Sequence, residues 1–291
     1  MIVWFGGGLG NQLFQFTLYM MALNKGFNVK ADLSMFDKYL LHNGFELGKI
    51  FGINLKEVDS EELCQYKPKG SIAARLIRKV GFESYGSCKD VFRENKSHFV
   101  PDLLTSKNQN LYLQGYWQSE QYFFSIKDLI KELLVFPELN NQNKLIFENM
   151  ENSFSVSIHI RRGDYLKSNN RKIYNDLSST DYYKKSIDYF NDRFERVLYF
   201  VFSDDITWCK QNLTLPSDTV YVDHNKGAEG YRDMQLMSLC KHNIIANSSF
   251  SWWGAYLNNY HDKIIIAPQR WFLANCAYDD SRIIPSEWLK I

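Results

Sequence analysis

Short apolar runs alternate with amphipathic segments along the chain, and this pattern predicts alternating strands and helices. Strand-like patterns occur at residues 2–5, 28–32, 111–113, 155–158, 197–202, 220–222, 244–246 and 264–267. Apolar residues recur at helical spacing after the first strand and again at residues 122–133, 231–241 and 250–257. Strands that alternate with helices favour an α/β fold with a parallel sheet.

The first strand leads into a glycine-rich loop, Gly6-Gly7-Gly8-Leu9-Gly10-Asn11-Gln12, and then into a helix that Gly26 is expected to end. With the next strand this forms a βαβ unit, which is how a dinucleotide-binding domain begins. The spacing departs from that fingerprint, because Asn11 stands where a third small residue is required. Asp32, at the end of the second strand, keeps a nicotinamide-dependent oxidoreductase open as an alternative.

Polar residues follow the ends of three strands in the second half of the chain. They are Arg161-Arg162, Ser203-Asp204-Asp205 and Ser248-Ser249. Ligands of open parallel sheets bind at the carboxyl ends of the strands, and arginines and helix N-termini suit phosphate groups. The pattern therefore predicts a phosphate-bearing ligand, although the serines alone also fit a helix cap and the aspartates alone fit a turn.

Composition and charge narrow the class of protein. The 291 residues carry 34 Lys plus Arg against 33 Asp plus Glu, so global charge gives no argument for nucleic acid or membrane binding. The five cysteines lack metal-ligand spacing and predict reduced thiols, and the absence of a signal peptide or membrane-length apolar run predicts a cytoplasmic protein. A basic segment at 73–80 is interpreted as a solvated face, with peripheral membrane association as the minority interpretation.

Several motifs, in the same order along the chain, resemble glycosyltransferase family 11, the α-1,2-fucosyltransferases. The motifs are Gly7-Gly8-Leu9-Gly10-Asn11-Gln12-Leu13-Phe14-Gln15, His159-Ile160-Arg161-Arg162-Gly163-Asp164-Tyr165, Phe202-Ser203-Asp204-Asp205, and the segments 233–242 and 246–255. The last of them, which contains Ser249-Phe250-Ser251-Trp252-Trp253, is highly specific for the family.

The resemblance implies a GT-B-like fold in which two Rossmann-like domains face each other across a cleft. Residues 1–150 would form the acceptor-side domain and residues 151–291 the GDP-fucose-binding domain, with the polar stretch at 137–144 near the junction. The implied reaction is inverting transfer of L-fucose from GDP-β-L-fucose to the 2-hydroxyl of a terminal galactose on a glycan, without metal or other cofactor. The alternative from another class is a non-catalytic glycan-binding protein on the same fold, which the intact arginine pair disfavours.

The resemblance also assigns residues by position. Arg161 and Arg162 would hold the diphosphate and neutralise the charge on the departing GDP. Asn11 would lie beside the fucose, and Asp164 would accept the proton of the acceptor hydroxyl or orient Arg162. Trp117 would either stack on the acceptor or be buried in the core. The remaining predicted donor contacts are His159, Ser203, Asp204, Asn247, Ser248, Ser249, Phe250 and Ser251.

Overall fold

The computed structural model describes residues 1–37, 43–66, 91–105, 110–163 and 172–291. They form an α/β fold with two parallel sheets. The first sheet has four strands in the order β2-β1-β4-β3. Its strands are β1 (Ile2–Trp4), β2 (Lys30–Asp32), β3 (Val91–Arg93) and β4 (Tyr112–Gln114).

The second sheet has six strands in the order β10-β9-β8-β5-β6-β7. Its strands are β5 (Ser155–Ile160), β6 (Leu198–Ser203), β7 (Val220–Val222), β8 (His242–Ile244), β9 (Ile265–Ala267) and β10 (Leu289–Lys290). Every residue of β5 is buried, as expected for a central strand that helices cover on both faces.

Helices connect and cover the strands. They are α1 (Leu9–Asn24), α2 (Leu47–Phe51), α3 (Ser60–Tyr66), α4 (Lys127–Leu133), α5 (Asn141–Glu151), α6 (Tyr182–Asn191), α7 (Ile206–Asn212), α8 (Tyr231–Leu239) and α9 (Ser249–Tyr256). Gly26 adopts a φ of 84° just beyond α1, which confirms its predicted role as the residue that ends the helix.

Two elements differ from the sequence prediction. The strand predicted at 244–246 is β8, which ends at Ile244. The helix predicted at 122–133 begins as two 3₁₀ turns, because Phe123 between them has a φ of −133° that interrupts the α-helical ladder. The polar stretch predicted as the junction contains the start of α5, which packs through Met150 against the second sheet. The basic segment at 73–80 lies outside the described residues.

Asp32 lies inside the molecule rather than at a ligand site. Asp32 is 1% exposed. Its carboxylate accepts hydrogen bonds from the Tyr112 hydroxyl (2.6 Å) and the Ser34 amide (3.0 Å). These contacts fasten the ends of β2 and β4 and leave no access for a ribose. The structure therefore gives no support to the nicotinamide alternative.

One hydrophobic core joins the two sheets through α1 and α9. The ring of Phe14 lies 4.6 Å from that of Trp252 and 5.1 Å from that of Trp253, measured between centroids. Trp117 is fully buried in the same core, so burial is the one of its two predicted roles that the structure supports. At Gly10 the helices come so close that an added Cβ would lie 2.5 Å from the carbonyl carbon of Ser249.

We expect Gly10→Ala to lower the free energy of unfolding by about 1–3 kcal/mol, the usual cost of overpacking a core. The atoms that the new methyl group would meet are backbone atoms of Ser249 and Phe250, which cannot rotate away. Urea unfolding followed by far-UV circular dichroism measures the change.

Gly48→Ala is the matched control. Gly48 also lies in a helix, and its added Cβ would have 3.4 Å to the nearest atom, so helix propensity should make this variant neutral or slightly more stable. Equal losses in the two variants would show that the close approach at Gly10 does not govern stability.

Candidate active site

A cleft of about 400 Å³ opens between the N-terminus of α1 and the carboxyl edge of the second sheet. The β5–β6 register places Ile160 opposite Ser203, so the polar residues that follow the two strands become neighbours. Most of the predicted site residues line the cleft. They are Asn11, His159, Arg161, Ser203, Asp204, Ser248, Ser249 and Phe250.

Two helices begin at this cleft. Gly8 precedes α1 and Ser248 precedes α9, and the Ser248 hydroxyl accepts a hydrogen bond from the Phe250 amide (3.3 Å) as a cap. Each helix N-terminus carries partial positive charge and amide groups directed away from the helix, which favour an anion. The close contact at Gly10 brings both termini to the same site, and this convergence suits a ligand with more than one negative charge.

Asn11 joins the two helix ends. Its Oδ1 accepts hydrogen bonds from the Ser249 hydroxyl (2.9 Å) and from Nε2 of Gln118 (2.8 Å). Because the oxygen accepts both hydrogen bonds, the orientation of the side-chain amide is fixed. The geometry fits a residue that positions a polar group of a ligand at the boundary of the two sheets.

Asp204 shapes the loop that follows β5. Its carboxylate accepts hydrogen bonds from the amides of Arg162 and Gly163, both at 3.0 Å, and pairs with Nη1 of Arg161 at 3.3 Å. A Cβ at Gly163 would lie 2.8 Å from Oδ2 of Asp204, so the small residue permits this approach. Asp204 therefore holds Arg161 at the cleft, in addition to lining the cleft itself.

The structure separates the two arginines that the sequence treats as a pair. Nη1 of Arg162 donates to the Ser178 hydroxyl (2.6 Å), and Nε lies 3.4 Å from Oδ2 of Asp205. The guanidinium also stacks over the Trp208 ring, 4.0 Å from its centroid. In this structure the side chain of Arg162 fastens the loop to α7 and does not line the cleft, and its contact with the diphosphate stays a prediction.

His159 is a neutral residue in the wall of the cleft. Burial, together with the charge of Arg161, lowers the pKa of His159 to about 3, so the ring is uncharged at physiological pH. Its buried Nδ1 has no hydrogen-bond partner among the residues the structure describes. An unsatisfied buried nitrogen is costly to the folded protein.

Two further predicted contact residues, Asn247 and Ser251, do not line the cleft. Nδ2 of Asn247 donates to the carbonyls of Asn175 (2.9 Å) and Trp271 (2.8 Å), which ties neighbouring loops to the strand end. The Ser251 hydroxyl lies near the carbonyls of Ala246 (3.4 Å) and Ser248 (3.3 Å) inside the first turn of α9. Both side chains are buried and neither lines the cleft, because local backbone groups already satisfy them. Asp164 lies outside the described residues.

The cleft also contains residues that the sequence did not assign. Asp233 accepts a hydrogen bond from Nδ2 of Asn225 (2.8 Å), and burial raises the pKa of Asp233 to about 7. Lys226 lies beside them. Asp233 belongs to a recognised motif, and Asn225-Lys226 follow β7 at the same sheet edge, so strand-end reasoning could have found them.

Glu46 and Asn43 contribute to the cleft from the first half of the chain. Nδ2 of Asn43 donates to Oε1 of Glu46 (3.1 Å) and to the carbonyl of Gly227 (2.9 Å), so it connects the two halves. Burial raises the pKa of Glu46, whose carboxylate also accepts from the amide of Leu9 at the start of α1. No sequence signal distinguished these residues, because they follow no predicted strand.

The described residues include neither a metal-binding cluster nor a membrane-spanning helix. Within them, no three His, Cys, Asp or Glu side chains are grouped so that they could hold a metal ion, and metal independence stays a prediction. Among the helices of that part of the chain, none has both the length and the apolar character needed to cross a bilayer.

Comparison with known proteins adds independent findings. The family described as "Glycosyl transferase family 11" matches residues 86–291. An alpha-1,2-colitosyltransferase of Escherichia coli is 34% identical, over 98% of this chain and 96% of that protein. The O-antigen biosynthesis glycosyltransferase WbnK of Escherichia coli is 31% identical over 98% of both chains.

More distant proteins share part of the sequence or the fold. Human galactoside alpha-(1,2)-fucosyltransferase 1 is 31% identical over 47% of this chain and 34% of its own. The crystal structure of the alpha-1,6-fucosyltransferase NodZ with GDP superposes with a TM-score of 0.52 at 14% identity, over 87% of this chain and 90% of that one, which is a likeness of fold. With a family match across most of its length and full-length relatives above 30% identity, the chain belongs to glycosyltransferase family 11.

Proposed function

We propose that this protein transfers L-fucose from GDP-β-L-fucose to the 2-hydroxyl of a galactose that terminates a glycan, with inversion at the anomeric carbon. The observation that carries the proposal is the convergence of Arg161 with the N-termini of α1 and α9 on one cleft. The names of the relatives favour an α-1,2 linkage and a deoxysugar donor.

The diphosphate of the donor would lie between Arg161 and the N-terminus of α9. Negative charge grows on the leaving GDP as the bond to the anomeric carbon breaks, and a fixed cation and helix end stabilise that charge more strongly in the transition state than in the ground state. Because Asp204 already orients Arg161, little reorganisation is needed when the donor binds. Neutral His159 adds a hydrogen bond from the cleft wall without a competing charge.

Asp233 would recognise the guanine ring. Guanine presents two adjacent N–H donors on one edge, and a carboxylate accepts both, whereas adenine lacks this pair. Asn225 holds the carboxylate by one oxygen, and burial has raised its pKa, so new donors from the base would stabilise the ionised form.

The acceptor would enter from the side of the first sheet, where Asn11, Gln118 and Asn43 line the cleft. Its hydroxyl oxygen would attack the anomeric carbon on the face opposite the diphosphate, the bond to the phosphate oxygen would break, and the hydroxyl proton would pass to a base. We propose Asp164 for that role, as the resemblance implies. Neither metal nor other cofactor takes part in this scheme.

The proposed organisation follows the same lines. The proposed arrangement is GT-B-like, with residues 1–150 on the acceptor side and residues 151–291 on the side of the sugar donor. Two observations support it: residues of both halves share one hydrophobic core, and residues of both halves line the cleft. A bacterial, cytoplasmic role in building surface glycans fits the relative named for O-antigen biosynthesis. The basic segment at 73–80 stays interpreted as a solvated face, with peripheral membrane association as the minority interpretation.

The direct test is incubation of the protein with a galactose-terminated acceptor and either GDP-L-fucose or GDP-L-colitose. Colitose is fucose without its 3-hydroxyl, so the two donors separate the sugars named among the relatives. We expect fucosyl product at least about tenfold faster than colitosyl product, since a site that binds a hydroxyl rejects an analogue that lacks it. Nuclear magnetic resonance of the product gives the linkage and the anomeric configuration.

Faster use of GDP-L-colitose would contradict the proposed donor while leaving the reaction class intact. A product linked to another hydroxyl would contradict the regiochemistry. Binding of galactosides with neither transfer nor donor hydrolysis would instead favour the non-catalytic alternative.

We expect Arg161→Ala to weaken GDP binding at least about tenfold and to lower kcat, because the loss of a charge-assisted contact costs about 1.5–3 kcal/mol. Calorimetry with GDP and steady-state kinetics measure the two effects. Arg162→Ala is the comparison, and it should act mainly on the melting temperature, because Arg162 contacts Ser178, Asp205 and Trp208. If Arg162→Ala weakened GDP binding as much as Arg161→Ala with an unchanged melting temperature, the assigned division of roles would be wrong.

Donor affinity should depend on pH through Asp233. The pKa of Asp233 in the free protein is raised to about 7, and guanine donors would lower it in the complex, so affinity is full above pH 7 and falls below it. The slope approaches about tenfold per pH unit. GDP-fucose is the probe, because its diphosphate diester does not titrate in this range. Asp233→Asn should weaken binding and remove this slope; a slope that persists in the variant would refute the assignment.

A further inference from the structure

A second concavity, separate from the cleft, lies at the carboxyl edge of the first sheet. It has a volume of about 390 Å³, and we call it the aromatic groove. Its walls include Trp4, Arg93, Lys96, Gln114, Tyr116 and Tyr278. Trp4, Gln114 and Arg93 are the last residues of β1, β4 and β3, which are adjacent in the sheet. This edge is where open parallel sheets bind ligands.

The groove is bordered by unusual backbone. Among the described residues, the non-glycine positions with positive φ are Lys96 (51°), Ser97 (63°) and Trp117 (57°). Lys96 and Ser97 line the groove, and Trp117 directly follows Tyr116 in its wall. Backbone of this kind costs about 1 kcal/mol or more per residue and concentrates at ligand sites.

Glu94 holds the strained wall in place. Its carboxylate accepts hydrogen bonds from the amides of Tyr116 (2.6 Å) and Trp117 (3.2 Å), and burial raises its pKa. A Cβ at Gly115 would lie 2.5 Å from Cβ of Glu94, so this approach depends on glycine. These contacts fix the backbone in this wall of the groove.

The chemistry of the groove suits a sugar. Tyr116 and Tyr278 keep 42% and 38% of their surface exposed, and Trp4 meets Tyr116 edge to face at 6.1 Å. Aromatic faces cover the apolar C–H side of a sugar ring, while the planar amide of Gln114 and the guanidinium of Arg93, joined by a 2.9 Å hydrogen bond, can engage its hydroxyl groups.

A short, fixed segment connects the groove to the cleft. Tyr116 lines the groove and Gln118 lines the cleft, and two residues of chain span at most about 7 Å. The segment is held by Gln15, whose Nε2 donates to the Gly115 carbonyl (3.1 Å) and whose Oε1 accepts from the Gly6 amide (3.0 Å). The groove and the cleft are therefore close neighbours along this segment.

We propose that the aromatic groove is a subsite for the sugars of the acceptor that lie beyond the galactose receiving the transferred residue. The inference rests on the proposed function, and it makes an oligosaccharide of three or more sugars the preferred acceptor. A disaccharide would fill the cleft without reaching the groove, whereas a galactose-terminated tetrasaccharide would reach it.

The experiment compares kcat/KM for lactose and for a galactose-terminated tetrasaccharide in the full-length protein. In Tyr116→Ala and in Tyr278→Ala, the ratio of tetrasaccharide to lactose kcat/KM should fall at least about tenfold, mainly through KM, as loss of a stacking aromatic implies. Phe124→Ala is the matched control, since Phe124 is 57% exposed and lies outside both sites. An unchanged ratio in both tyrosine variants overturns the proposal.

Direct binding separates this proposal from the proposed function. If no acceptor is fucosylated, the reaction assignment fails, and saturation-transfer nuclear magnetic resonance still reports whether the tetrasaccharide binds. Binding that weakens at least about tenfold in Tyr116→Ala supports the subsite, while no binding to the unaltered protein, or equal binding to both, refutes it. If transfer occurs and the ratio does not change, the function stands and the subsite fails.

Discussion

The close contact between α1 and α9 at Gly10 is the constraint on which the cleft depends. It lets two helix N-termini meet at one point, and it is possible only because Gly10 has no side chain to collide with the backbone of Ser249. Phe14, packed on Trp252 and Trp253, holds the helices at this separation. Hydrophobic packing thus sets the geometry of the cleft, and the polar residues refine it.

Much of this arrangement could be predicted from the sequence. Apolar runs and polar strand ends are local patterns, so they predict the parallel strands and the end of α1 at Gly26. They also predict that Arg161, Asp204 and Ser249 lie at one edge of the sheet. What could not be predicted is the direction of neighbouring side chains. Arg161 and Arg162 diverge because Asp204, 42 residues away from Arg162, accepts the amide of Arg162 and fixes the loop.

The hydrogen-bond partners of a side chain, which the sequence does not reveal, also decide which other predicted residues line the cleft. Asn247 and Ser251 fit a polar binding motif, yet nearby carbonyls satisfy them, and no sequence pattern distinguishes an amide that binds a ligand from one that ties loops together. Asp233 was not predicted as a contact residue but does line the cleft. Its raised pKa results from burial, and Asn225 donates to its carboxylate, and neither fact can be inferred from residue spacing. Glu46 follows no predicted strand, and only the folding of the first half of the chain brings it to the cleft.

The continuous core also bears on how such enzymes can be recombined. Residues of the first half, such as Phe14 and Phe123, pack directly against Trp253 of the second half. A chimera cut between the sheets would therefore pair two surfaces that had never been fitted to each other, and it would lose core packing even if each half kept its own ligand contacts. Under the proposed acceptor subsite, grafting the rim of the aromatic groove would leave this core intact, whereas exchanging whole halves would disrupt it.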